Sequence, residues 1–225
     1  MKNLLIYLNP EKKFDNESAR YIKIQIENSL KFWKKEDIVL ATNFPYEHLT
    51  IKAILVPNDL CCEFEPRNSK GNGLIYLLEN EILDESAWLH DLEAFQISPI
   101  ALTFEKDLGL TDYGWKQKWN TGSIFLKPSA IDIFRKLQEG VYEKKAPDEP
   151  ILWNLYRSNF NDIQNRCKRL NITYNLGMRY HDITIPMAEK PIKVLHFHPY
   201  RHNKLYKRFK PLLPSQLYNL FVKHK

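Results

Sequence analysis

The chain has 225 residues, enough for one sizeable domain with a full core. Hydrophobic residues make up 44% and aromatics 13%, a composition that excludes a disordered chain. With 33 basic and 27 acidic residues, the net charge of +6 favours an anionic ligand or surface and does not indicate nucleic acid.

Neither a Walker loop nor GxGxxG occurs among only 7 glycines. Cys61, Cys62 and Cys167 form no CxxC pair and fit a reducing compartment. The N-terminal apolar run is too short for a signal segment, and no stretch approaches the ~20 apolar residues of a membrane span. These features predict a soluble, cytoplasmic protein.

In chain order, Leu4 to Leu8 reads as a buried first strand closed by Asn9-Pro10. Ala19, Ile22, Ile26, Leu30 and Trp33 recur at helical spacing, with Ser18 as N-cap. Asp37 to Thr42 and Ile51 to Val56 read as further strands, giving a βαβ start and a parallel sheet. A helix follows from Asn68, striped by Leu74, Ile75, Leu77, Leu78 and Ile82. Strands are predicted at Ile100 to Phe104, Trp119 to Leu126, Asn171 to Tyr174 and Ile192 to Phe197. Helices are predicted from Ala130 to Gln138 and from Asp148-Glu149-Pro150 to about Phe160. The pattern specifies an α/β fold, one domain with a mostly parallel central sheet flanked by helices.

The segment Trp88 to Phe95 carries two acids one residue apart. If it is extended, Asp91 and Glu93 project from the same side. Such a pair is either solvated or neutralised by a hard divalent cation such as Mg²⁺ or Mn²⁺. In an open sheet, ligands bind beyond the carboxyl ends of the strands, where Asn9, Thr42 to Asn43, Asp91 to Glu93 and the His196 region converge. Arg67, Asn68 and Lys70 are candidates for phosphate contacts and Asn9 with Pro10 for a nucleobase wall, each against an ordinary loop. Trp115 and Trp119 offer sugar-stacking faces or core packing. Asp148 and Glu149 either favour a helix N-terminus or supply a general base, with Glu149 preferred.

The order of motifs resembles that of GT-A-type nucleotide-sugar glycosyltransferases, family 8-like in arrangement and in the size range of small viral or bacterial glycan-assembling enzymes. Asp91-Leu92-Glu93 resembles the DxD motif, with Glu93 in place of the usual aspartate. Asn120-Thr121-Gly122-Ser123 resembles the strand lining the sugar pocket, and Asp148-Glu149 the acidic pair that follows it. Tyr174-Asn175 resembles the YN element. His196-Phe197 resembles the late HF, although His198-Pro199 follows in place of glycine. The resemblance implies a GT-A domain with a nucleotide-binding half at 1–95, an acceptor and sugar half at 96–199, and a basic helical tail at 200–225. It implies a Mn²⁺ or Mg²⁺ site from Asp91, Glu93, His196 and His198. Donor contacts would come from Leu8, Asn9, Pro10, Asn43, Arg67, Asn68, Lys70, Asp91, Leu92, Asn120, Thr121, Gly122 and Lys204.

The implied activity is sugar transfer from a nucleotide-diphosphate-sugar, UDP first among the nucleotides, to a hydroxyl on a glycan or glycoconjugate. The alternative is a metal-dependent hydrolase, a nuclease or deacetylase, using the acidic pair and His196, His198 and His202. A non-catalytic basic binding module is a further rival. The tail, free of Asp and Glu, reads either as core closure by Leu205, Phe209 and Leu213 or as a peripheral contact with an anionic membrane.

Overall fold

A computed structural model describes residues 1–103, 105–114, 118–177, 181–199 and 210–225. Its main sheet has seven strands in the order β10-β8-β9-β6-β1-β2-β5. These are β1 (Lys2–Tyr7), β2 (Ile38–Thr42), β5 (Ile54–Leu55), β6 (Ala87–His90), β8 (Leu108–Asp112), β9 (Trp119–Leu126) and β10 (Cys167–Arg169). β1 pairs in parallel with both β2 and β6, and β9 runs antiparallel to β6 and β8. A second sheet joins β7 (Ala94–Gln96), β12 (Val194–His196) and β11 (Leu176–Gly177), while β3 (Glu47–His48) and β4 (Ile51–Lys52) form a hairpin.

Period-two alternation along β1 divides the core. Leu4 and Ile6 face α2 (Ser69–Glu79), α3 (Ile131–Lys144) and α4 (Asp148–Arg157), packing with Leu74, Leu77, Ile133 and Leu137. Leu5 faces the other way, toward α1 (Asn16–Ser29), the second sheet and the C-terminal helix Ser215–Lys223, among Ile22, Phe95, Leu195, Leu217 and Phe221. Each fully buried Leu or Ile contributes about 1.5–3 kcal/mol. Among the described residues no helix is long and apolar enough to cross a membrane.

Several local expectations change. Asp15, not Ser18, caps α1, because its carboxylate accepts from the backbone N–H of Glu17 at 2.9 Å and of Ser18 at 2.8 Å. That helix stops at Ser29, so Trp33 lies beyond it and stacks on Trp88. The strand expected over Ile51 to Val56 is split between β4 and β5. The predicted strand at Asn171 to Tyr174 is a 3₁₀ turn over Ile172–Tyr174, since the Asn171 side chain accepts from the Thr173 N–H at 2.9 Å and closes an Asx turn. Residues 100–103 form no strand; β8, β10 and β11 were not anticipated. α3 extends six residues past Gln138 to Lys144. Phe104, Trp115, Lys116, Gln117, Tyr200, Arg201, His202, Lys204, Leu205, Arg208 and Phe209 lie outside the described residues.

Candidate active site and metal centre

The acidic pair sits where β6 leaves the main sheet for the second one. Residues 91–93 form a turn and not an extended segment. The turn has reasons to hold. The Asp91 N–H donates to the Gly122 carbonyl at 3.0 Å, and the Ala94 N–H closes back on the Asp91 carbonyl at 3.0 Å. Buried Gln25, on α1, donates to the carbonyls of Leu92 at 2.7 Å and Ala94 at 2.9 Å. His90, buried one residue before Asp91, contacts the Asp91 carbonyl at 3.0 Å through Nδ1 and Asn3 Oδ1 at 2.7 Å through Nε2. Burial, the largest influence, lowers the His90 pKa to about 4.

The turn brings Asp91 and Glu93 to His196, at the end of β12, with one ligand atom from each lying within 4.8 Å of the others. The Phe197 N–H donates to the Glu93 carbonyl at 3.0 Å, which fixes the two segments together. His196 Nε2 lies 3.7 Å from Asp91 Oδ2, and His198 Nε2 lies 3.7 Å from Glu93 Oε1. Two carboxylates supply hard oxygen donors and His196 a borderline imidazole nitrogen, a set that suits a divalent ion such as Mn²⁺. Burial raises the Asp91 carboxyl, but the Lys70 ammonium, through its charge and its hydrogen bond, helps bring Asp91 below the usual carboxylate range. Asp91 is therefore ionised at neutral pH, as a cation ligand must be.

Lys70, in the first turn of α2, donates to Asp91 Oδ1 at 2.5 Å and to the Thr121 carbonyl at 3.1 Å. Burial disfavours its charge, but Asp91 and Asp148 keep its pKa raised. Because β9 runs against β6, the beginning of β9, not its end, lies beside Asp91: Ser123 is registered opposite His90. Gly122 is needed there, since an added Cβ would stand 2.1 Å from His196 Cε1. The Gly122 N–H donates to Asn120 Oδ1 at 2.9 Å.

The two acids opening α4 differ. Asp148 is half-buried, and its desolvation raises its pKa; it hydrogen-bonds Thr121 and feels the charges of Lys70 and Asp91. Glu149 accepts from the Tyr113 hydroxyl at 2.6 Å and pairs with Lys118 at 3.0 Å. Farther along the same sheet edge, Asn43 accepts from the Asn9 N–H at 2.9 Å and donates to the Asn9 carbonyl at 2.7 Å, joining the ends of β1 and β2. Leu8 and Leu92 are buried, and Pro10 is exposed. The Arg67 side chain is 91% exposed and pairs with Glu65. Asn68 is buried and donates to the Ala146 carbonyl at 3.3 Å. Trp119 is core, packed on Trp153 and Tyr156.

Sequence reading passed over His90 and Gln25. Gln25 had a signal: it falls beside the apolar stripe of α1, where an amide must find a buried partner.

In sequence the chain matches no family model and no curated protein. Solved structures do match. The glycosyltransferase GlyE of Streptococcus pneumoniae superposes with a TM-score of 0.59 at 12% identity, over 99% of this chain and 64% of its own. A glycosyltransferase involved in glycosylating the major capsid of PBCV-1 gives 0.60 at 13% identity, over 94% of this chain and 100% of its own. The galactosyltransferase LgtC, solved with donor and acceptor sugar analogues, gives 0.56 at 12% identity over 96% and 99%. The chain has the GT-A fold. Within that fold, the acidic turn after β6, the start of β9, the start of α4 and the end of β12 form one polar cluster. The chain spans 64% of the GlyE chain it matches.

Proposed function

We propose that this protein is a metal-dependent glycosyltransferase that moves a sugar from a nucleotide-diphosphate-sugar, UDP first, to a hydroxyl of a glycan or glycoconjugate. The observation that carries this is the convergence of Asp91, Glu93 and His196 on one point in a GT-A fold. These three would hold Mn²⁺ or Mg²⁺, with His198 beside Glu93 as a neighbouring contact. A divalent ion bound there supplies positive charge against the diphosphate leaving group.

Lys70 provides a fixed cation on the same side and orients Asp91. The edge formed by Leu8, Asn9, Pro10 and Asn43 is assigned to the nucleoside, and Asn120, Thr121 and Gly122 to the donor sugar. Arg67, Asn68 and Lys204 stay in the proposed donor set as cations or an amide for the nucleotide phosphates, and Leu92 as the middle residue of the acidic motif. In the transfer, the acceptor oxygen bonds to the anomeric carbon, the bond to the diphosphate oxygen breaks, and the hydroxyl proton passes to a carboxylate. Asp148 fits that last role better than Glu149. Desolvation raises its pKa, which suits a proton acceptor, whereas the Glu149 carboxylate already accepts from Tyr113 and pairs with Lys118.

A hydrolase built on the same acids is not favoured, since the solved structures sharing the fold are glycosyltransferases. Peripheral contact with an anionic membrane rests chiefly on the charge of the tail, because Leu217, Leu220 and Phe221 of the C-terminal helix are committed to the core. A screen of nucleotide-sugars for Mn²⁺-dependent hydrolysis and transfer tests the central claim: turnover with at least one donor, abolished by chelation, is expected, and none with any donor refutes it.

A further inference from the structure

The histidine of the metal cluster is held from behind. His196 Nδ1 lies 3.1 Å from Asn175 Oδ1, while Nε2 is turned toward Asp91. Asn175 is 1% exposed and stands between the turn Ile172–Tyr174 and β11, whose Gly177 is registered against His196. Its other amide atom, Nδ2, is buried without a hydrogen-bond partner among the described residues. A buried amide with half its capacity unused costs stability, so packing alone does not account for it. What its oxygen touches is the imidazole. A ring nitrogen facing a carboxamide oxygen must carry the proton, and a neutral imidazole carries only one. Nε2 is then left bare toward the acidic turn. The missing Cβ of Gly122 leaves room for the ring in that orientation.

We propose that Asn175 is a positioning residue that fixes His196 in the Nδ1–H tautomer and so makes Nε2 a ligand for the divalent cation. The cation half rests on the metal-dependent reading of the site; the tautomer half does not.

Nitrogen-15 NMR of the metal-free full chain, with histidine labelled, reads the tautomer of His196, and calorimetry with Mn²⁺ alone reads affinity. Wild type is expected to show Nδ1–H with a bare Nε2. Asn175→Leu, of similar volume, is expected to move the proton toward Nε2 and to weaken Mn²⁺ binding about 10–100-fold. Asn175→Asp keeps an acceptor oxygen and is expected to preserve both tautomer and binding. Should Asn175→Leu fail to fold by circular dichroism, Asn175→Ser, too short to reach the ring, takes its place. A wild-type His196 protonated on Nε2, or a variant lacking the acceptor that leaves tautomer and affinity unchanged, overturns the proposal. Wild type that binds no Mn²⁺ overturns the metal reading instead, and the tautomer comparison then still decides whether Asn175 sets the ring.

Discussion

Lys70 and Asp91 are joined at 2.5 Å, and the same ammonium reaches the Thr121 carbonyl at 3.1 Å. One side chain from the start of α2 thus ties the acidic turn to the start of β9. Its charge competes with a metal ion for Asp91 but would assist a metal-bound diphosphate. Lys70→Met should therefore leave the affinity for Mn²⁺ alone unchanged or tighter. The affinity for UDP with Mn²⁺ should fall about 10-fold or more, the worth of one charge-assisted contact. Calorimetry with and without nucleotide separates the two; equal losses in both would mean that Lys70 only supports the fold.

Asp91→Asn and Glu93→Gln remove a negative ligand while keeping shape, so Mn²⁺-dependent nucleotide binding should be lost and the melting temperature kept. His196→Ala should act in the same direction more mildly. A larger effect from His198→Ala would reassign the imidazole ligand by two residues.

Gly122→Ala places a methyl carbon 2.1 Å from the His196 ring. The ring can swing aside, so the fold should survive while Mn²⁺ affinity drops about 10-fold or more, as for a displaced ligand. Unchanged affinity would show that His196 does not need its present position.

The two acids of α4 separate by kinetics. Asp148→Asn should lower turnover by roughly 10²–10⁴ with donor affinity little changed, as for loss of a general base. Glu149→Gln should cost much less turnover and should loosen Tyr113 and Lys118. The reverse ranking would restore Glu149 as the base.

Away from the site, Glu27 ties three elements together. Its carboxylate accepts from His48 at 3.1 Å, from Lys223 at 2.8 Å and from His224 at 2.8 Å. Burial pushes its pKa up, but these three partners outweigh burial and bring it down to about 2 from 4.5. A depressed carboxylate stabilises the fold above its unfolded value and loses that contribution as pH falls toward the folded value. Glu27→Gln should cost about 2 kcal/mol at pH 7, or about 4–8 °C in melting temperature. That gap should close as pH drops from about 4.5 toward about 2; a gap independent of pH would assign the loss to packing.

The sequence by itself determined the α/β class, the βαβ start, the helices at Ser69–Glu79 and Asp148–Arg157, and the neighbourhood of the acids. Apolar periodicity and strand-end chemistry are local signals, legible wherever a long element buries one face. Ile172–Tyr174 misled because Thr and Tyr favour strands, while an Asn171 side-chain hydrogen bond decided for a turn. Only the tertiary structure reversed β9, so that Asn120 to Gly122 meet Asp91 at the sheet's carboxyl edge. Only it set Lys70 on Asp91, and Asn175 behind His196. Those relationships depend on strand direction and on contacts between distant segments. Such pairings are fixed by packing the whole sheet, and no short window of sequence contains them.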